Sequence, residues 1–290
     1  MSPWSTSSSA AEITTGAAND RDALLDRGQV RVVAPGPADE LVALAREQLR
    51  DAFAGHDPRT IRHRWTNDRF FRSFAAPRQG FGQRAEVRHA VHALLQALGW
   101  QPGQVRVDAA RIRAVPSRGD KIPEARPAFG LHRDTWYANP GHQINHWIPV
   151  YDVDATESLV ILPPWFDRPI PNSSASFDLD NWQRMGGFQA FRAPTRSPQH
   201  HPVPTVAVDV AAAWRYAGPA GAVVAFAGCQ LHGTVPHTTG RVRYSVEIRC
   251  VDVRDAGRGD PSGDNAAIGD ASHGYAGLDD AHSAAGSSVG

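Results

Sequence analysis

Apolar residues recur at helical spacing in two stretches early in the chain, and at strand spacing through much of the remainder. Residues 38–54 place Leu41, Leu44, Ala45, Leu49, Ala52 and Phe53 near one face, with Asp39 and Glu40 where the positive end of a helix favours acid. Residues 84–98 repeat the pattern with Val87, Val91, Leu94, Leu95 and Leu98, and Gly99 closes the run. From about residue 104 the period changes: Val105, Val107 and Ala109 alternate with other residues, and 111–115 continues as strand. Further strands are predicted over 143–150, 158–162, 205–210, 222–227 and 242–252, separated by Pro- and Gly-rich turns. Helices followed by many short strands predict a mainly β fold, a sandwich or barrel supported on one side by N-terminal α-helices.

The ends lack this patterning. Residues 5–20 are rich in Ser, Thr and Ala, and 254–290 in Gly, Asp, Ser and Ala. Such stretches cannot bury enough apolar surface to offset the entropy of ordering. Residues 1–20 and 254–290 are therefore expected to be disordered tails, with His273 and His282 solvated, around a single domain over 21–253 whose barrel core starts near 104.

Composition narrows the function mainly by exclusion. The 30 basic and 30 acidic residues cancel, so no global field recruits nucleic acid or an anionic membrane. Met1–Asp20 has neither a basic start nor a continuous apolar core, so it does not read as a secretory signal. No run approaches the roughly 18 apolar residues of a membrane span. Cys229 and Cys250 offer no disulfide framework and no Cys-x-x-Cys; read as reduced, strand-borne thiols, they fit a cytoplasmic location. Dinucleotide fingerprint, P-loop and Gly-x-Ser-x-Gly elbow are all missing.

Chemistry concentrates in two segments. In Gly130-Leu131-His132-Arg133-Asp134-Thr135-Trp136, a strand would turn His132 and Asp134 to one face, where an imidazole and a carboxylate suit iron(II) once a third ligand joins them. That ligand is expected at His232, in Gly228-Cys-Gln-Leu-His232-Gly233, delivered by the apolar run Ala222–Ala227. Eleven residues later come Arg243 and, on the same strand face, Ser245. A guanidinium offers a planar fork to a carboxylate, and a hydroxyl can add a third hydrogen bond. His142, His146, His200, His201 and His237 lack so coherent a set of partners and read as loop, surface or supporting residues.

His132-x-Asp134, His232 and Arg243-x-Ser245 together resemble the signature of the 2-oxoglutarate-dependent oxygenases, and the His232–Arg243 gap resembles their phytanoyl-CoA dioxygenase branch. The similarity covers roughly residues 100–253. It implies a double-stranded β-helix, a jelly-roll or cupin-like barrel, with Fe(II) held by His132, Asp134 and His232 inside its mouth. It further implies that 2-oxoglutarate chelates iron through its 1-carboxylate and ketone, that Arg243 grips the 5-carboxylate with Ser245 assisting, and that dioxygen takes the remaining position. Oxidative decarboxylation to succinate and carbon dioxide would then drive hydrogen abstraction from substrate. The resemblance makes hydroxylation the default outcome, because family halogenases replace the carboxylate that Asp134 supplies. Desaturation, ring closure and epimerisation use the same ligands.

Other positions are expected to see co-substrate or substrate. Gln143, Asn145 and Trp147 share one face of a strand that would line the barrel; the branch uses such positions for co-substrate or substrate, with Gln143 and Asn145 taken as co-substrate contacts. Trp136 and Tyr137 could wall the site, and Asn172 lies in a Pro-rich rim loop. Arg111 and Arg113, on the strand before the metal motif, would suit a polar small molecule, such as an intermediate of a specialised biosynthesis. Two alternatives stay open: a cupin-type metal enzyme that does not use 2-oxoglutarate, and a non-catalytic ligand-binding barrel. Oligomeric state leaves no mark in the sequence.

Overall fold

A computed structural model describes residues 19–185 and 201–278. The expectation for the N-terminal tail lies outside the described residues except for Asn19 and Asp20, as do His200, His282 and residues 279–290.

The chain starts with a short helix, α1 (Arg21–Leu25), whose cap residue Asp20 accepts a hydrogen bond from the Ala23 N–H. Strand β1 (Arg31–Val33) follows, then α2 (Asp39–Ala52) on the first amphipathic stretch. Next comes α3 (Asn67–Gly80), capped by Thr66, which carries Pro77 and buries only Phe70, Phe74 and Pro77. So sparse an apolar face gave no helical signal. Helix α4 (Ala85–Ala97) occupies the second amphipathic stretch.

The remaining elements are mostly strands: β2 (Val105–Val107), β3 (Arg111–Pro116), β4 (Gly130–His132), β5 (Ile144–Pro149), β6 (Leu159–Ile161), helix α5 (Leu179–Arg184), β7 (Trp214–Arg215), β8 (Val223–Ala227), β9 (His232–Thr234), β10 (Val242–Asp252) and β11 (Ala276–Gly277). They form two antiparallel sheets. The larger has seven strands in the order β1-β8-β5-β10-β2-β11, with β3 also pairing β10; the smaller runs β4-β9-β6-β7. The alternation at 205–210 forms no strand, and Val206 there is 47% exposed. Pro202 and Pro204 just before it have no N–H to open a ladder.

Period-2 alternation decides what each sheet face does. Along β10, Val242, Tyr244, Val246, Ile248 and Cys250 pack into one core with Leu41, Phe53, Phe70, Val91 and Leu94 of the helices. Along β5, Ile144 and Ile148 join the same core. The opposite face meets the smaller sheet, where Trp147, Val224 and Phe226 pack with Leu159, Ile161 and Trp214. Arg243, Ser245, Glu247 and Arg249 therefore line the interior between the two sheets. The inner face of β10 is thus polar where its outer face is apolar, which marks a purpose other than packing along that strand.

After β10 the chain folds back over the sheets. Asp255, Ser262 and Leu278 are buried, and β11 adds an edge to β2. The expectation of a disordered tail from 254 thus fails for residues 255–278. Polar contacts join the burial of Leu278 in tying this strap down. Arg21 pairs with Asp252 at 2.6 Å and with Asp255 at 2.8 Å, Asp264 pairs with Arg133 at 3.1 Å, and Thr135 donates to Asp260 at 2.6 Å. Among the described residues, no helix is long and apolar enough to cross a membrane.

Candidate metal centre

Strand pairing brings the two histidines together. In the β4–β9 register His132 stands directly opposite His232, with their ring centroids 4.5 Å apart. The close approach depends on Gly233, where an added Cβ would sit 2.1 Å from the Gly130 carbonyl oxygen. Asp134 is delivered by a different route from the one expected. The strand ends at His132, and Asp134 opens a short 3-10 turn, Asp134–Tyr137. Its N–H is held by the Gly228 carbonyl at 2.8 Å. His132, Asp134 and His232 end with one ligand atom each lying within 4.8 Å of the others.

The protonation states favour a cation. His232 Nδ1 lies 2.8 Å from the Gln230 carbonyl, which can only accept, so Nδ1 carries the proton and Nε2 keeps its lone pair. Burial, reinforced by His132, pushes the His232 imidazole down to about 4, so it is neutral at neutral pH. Burial opposes ionisation of Asp134, but Arg249 and the two imidazoles outweigh it and hold the carboxyl well below the usual range. The carboxylate is also fixed in orientation. Oδ2 accepts from Gln143 Nε2 at 2.6 Å and Asn145 Nδ2 at 2.7 Å, while Arg249 Nη2 lies 3.2 Å from Oδ1. Two imidazoles and a carboxylate form an N/O donor set suited to a divalent first-row metal.

A cavity of about 60 Å³ leads inward from the triad, lined by Asn145, Trp147, Phe226, Thr234 and Arg243 among others. Arg243 is 4% exposed, yet its Nε and Nη1 have no partner; Nη2 lies 3.4 Å from Thr234 Oγ1. Burial lowers this guanidinium to about 10. The Ser245 hydroxyl and Trp147 Nε1 are likewise buried without partners. Unpaired donors around a buried cation are costly, and a carboxylate entering the cavity would satisfy them.

A second cavity of about 300 Å³ opens from the other side of His132 and Asp134. One wall carries Arg111, Arg113 and Arg249; the other is aromatic, with Tyr137, Phe177 and Trp182. Arg111 pairs with Asp108 at 2.5 Å, and Arg113, which reaches both cavities, pairs with Glu247 at 2.8 Å. Tyr137 stands edge-on to His132 and lies 3.2 Å from His201 Nδ1 through its hydroxyl.

The structure separates the expected contacts. Arg111, Arg113 and Tyr137 line the larger cavity, and Trp147 and Arg243 the smaller. Gln143 and Asn145 grip Asp134, where co-substrate contact was expected of them; Asn145 also borders the smaller cavity. Trp136 does not wall the site, because the 3-10 turn directs it into a buried cluster with Val160, Ile170 and Leu231, where its Nε1 donates to Asp264. Asn172 is likewise structural: it donates to the Ile170 and Asp264 carbonyls and accepts from the Ser174 N–H. Sequence patterns gave no signal for Asp108, Asn139, Phe177, Trp182 and Tyr275, which sit in turns, in short α5 and in the strap. Arg249, two strand periods beyond Ser245, shares its strand face, but its contact with Asp134 depends on the 3-10 turn and leaves no mark in the sequence.

No family model matches the chain, and no curated protein matches it in sequence. Among solved structures, it is similar to apo ThoJ, described as a non-heme monooxygenase, with 15% identity, TM-score 0.46, and 80% of this chain and 77% of that one covered. EvdO2 from Micromonospora carbonacea var. aurantiaca gives 15% identity and a TM-score of 0.46 over 83% of this chain and 93% of that one. The epimerase SnoN from nogalamycin biosynthesis, described as non-heme and alpha ketoglutarate dependent, gives 15% and 0.39 over 81% and 83%. At these values the likeness carries no argument, and the functional reading rests on this chain's own side chains.

Proposed function

We propose that the chain is a non-haem iron(II), 2-oxoglutarate-dependent oxygenase of the phytanoyl-CoA dioxygenase-like branch, built on a double-stranded β-helix, that oxidises a small polar metabolite. One observation carries the reading: a His-Asp-His triad opens onto a buried cavity holding an unpaired guanidinium, Arg243. A metal site alone would fit many enzymes. A buried cation with two unpaired N–H groups in the cavity beside it calls for a dicarboxylic co-substrate that reaches both. The cupin-type alternative without 2-oxoglutarate leaves Arg243 without a role, and a non-catalytic ligand-binding barrel leaves the His132, Asp134 and His232 triad without one.

Iron, 2-oxoglutarate and dioxygen would supply the oxidising chemistry, hydroxylation by default, with release of succinate and carbon dioxide. The chain's residues bind and orient. His132, Asp134 and His232 would hold the metal; Gln143, Asn145 and Arg249 lock the Asp134 carboxylate in place for it. Arg243 and the Ser245 hydroxyl receive the distal carboxylate, and Trp147, with Arg243 5.4 Å from its ring centroid, walls that end against water. The larger cavity takes the substrate between Arg111 and Arg113 and the aromatic wall of Tyr137, Phe177 and Trp182. The buried free thiols Cys229 and Cys250 support a reducing, cytoplasmic setting.

The test is anaerobic titration of the purified chain with iron(II) and then 2-oxoglutarate. A weak visible charge-transfer band that decays on admitting oxygen, with succinate formed, supports the proposal. Metal binding without the band or any uptake of 2-oxoglutarate would move the chain to other metal chemistry, and absence of metal binding would remove the enzyme reading.

A further inference from the structure

Tyr275 belongs to the Gly-, Ala- and Ser-rich strap that follows β10, yet its hydroxyl reaches the residues that hold Asp134. It borders the 300 Å³ cavity, and its hydroxyl donates to Gln143 Oε1 at 2.5 Å, with Asn139 Oδ1 3.3 Å away. Both residues support Asp134. Gln143 Nε2 donates to the Asp134 carboxylate at 2.6 Å, and Asn139 Nδ2 to the Asp134 backbone carbonyl at 3.0 Å.

The geometry points to Tyr275 as a positioning residue for the metal carboxylate, acting through the Gln143 amide; this rests on the proposed metal centre. A primary amide has distinct ends. Asp134 Oδ2 and Asn145 Oδ1 both require an N–H donor from Gln143. Its oxygen then needs a donor of its own, and the Tyr275 hydroxyl supplies it. Gly228 closes the remaining side, where an added Cβ would lie 2.8 Å from Gln143 Nε2. Without the phenol, the amide oxygen would face the cavity unpaired, and the amide would be freer to rotate away from Asp134. Partners that orient ligand atoms typically contribute roughly 10–100-fold to metal affinity or activity. Tyr275 stands one bond further out, so about 5–10-fold is expected from it on that scale.

The strap is fixed well enough to hold this contact. Asp264 pairs with Arg133, which lies between His132 and Asp134 in sequence, and β11 pairs with β2 immediately after Tyr275. The metal turn and the substrate cavity thus share a support that comes from outside the two sheets' interior.

The experiment is a double-mutant cycle on the full chain, read by calorimetric titration of the metal-free protein with cobalt(II). The proteins are unaltered, Tyr275→Phe, Gln143→Leu and the double variant, with thermal melts of each in the metal-free state. Tyr275→Phe should weaken cobalt binding about 5–10-fold with its metal-free melt close to that of the unaltered chain, and should have little effect once Gln143 is Leu. Tyr275→Leu, which also removes the ring, should weaken cobalt binding at least as much and guards against one variant's failing to fold. Unchanged affinity in Tyr275→Phe, or an equal loss with and without Gln143, overturns the assignment while leaving the metal centre intact. Failure of the unaltered chain to bind cobalt overturns the metal-centre reading and this inference with it.

Discussion

Replacing Arg243 with Met should make the ligand-free protein more stable while removing most of its response to 2-oxoglutarate. The guanidinium is 4% exposed, with two unpaired nitrogens, and burial lowers it from its ordinary value to about 10. A shift of that size costs the charged form about 3 kcal/mol at neutral pH, where Arg stays protonated in both folded and unfolded states. The Arg243–Trp147 contact, 5.4 Å to the ring centroid, returns about 1 kcal/mol. Methionine keeps much of the aliphatic bulk, so the variant should gain about 2 kcal/mol without ligand. With metal present, 2-oxoglutarate at about 100 times its dissociation constant should stabilise the unaltered chain by about 2.7 kcal/mol. Truncating a buried charged partner loses about 2–5 kcal/mol of binding, which cuts that gain to under about 1 kcal/mol in Arg243→Met. The assay is anaerobic urea unfolding of the manganese(II)-loaded and metal-free proteins, each with and without 2-oxoglutarate. An Arg243→Met protein that is less stable than its parent without ligand, or that keeps the parent's stabilisation by 2-oxoglutarate, would refute the reasoning.

Other expectations rest on the same contacts. His232→Ala and His132→Ala should each abolish metal-dependent turnover and tight cobalt(II) binding; parent-like calorimetric affinity in either would take that residue out of the triad. Asp264→Asn leaves the buried Arg133 guanidinium without its charged partner and should destabilise the metal-free chain by about 3–5 kcal/mol in urea unfolding; a cost under about 1 kcal/mol would mean the carbonyls around Arg133 suffice. His146 is buried and accepts from Trp100 Nε1 at 3.3 Å, and burial pushes its imidazole down to about 4. The unfolded chain therefore binds the extra proton first, so stability is full above about pH 6.5 and falls towards pH 4, by about 3 kcal/mol at most. His146→Asn should flatten that dependence by about one proton in unfolding titrations, and an unchanged slope would assign the acid sensitivity to other groups.

The outline of this protein was legible in the sequence because local periodicity reports what each element buries. Residues 38–54 and 84–98 became α2 and α4, since a stripe at i, i+3, i+4 and i+7 can be satisfied only by a helix on an apolar surface. The alternation through 242–252 became β10, with apolar residues towards the helices and Arg243, Ser245, Glu247 and Arg249 towards the interior. The order and spacing of His132, Asp134, His232 and Arg243-x-Ser245, through the resemblance they carry, singled out the three as a candidate triad. What depends on other parts of the chain could not be read locally. The facing of His132 and His232 is a register between β4 and β9, and sequence spacing does not encode register. Asp134 joins them by a 3-10 turn, and that same turn sends Trp136 into the core and Tyr137 towards the cavity. The strap escaped a reading based on composition because hydrogen bonds and ion pairs at Asp260, Asp264 and Tyr275 hold it, and a polar residue does not reveal its partner. Tertiary structure alone decided that Gln143 and Asn145 hold the metal carboxylate, and that Arg243 is buried with donors unsatisfied. Those are properties of a three-dimensional environment, because burial turns an ordinary strand arginine into a charge in need of a carboxylate.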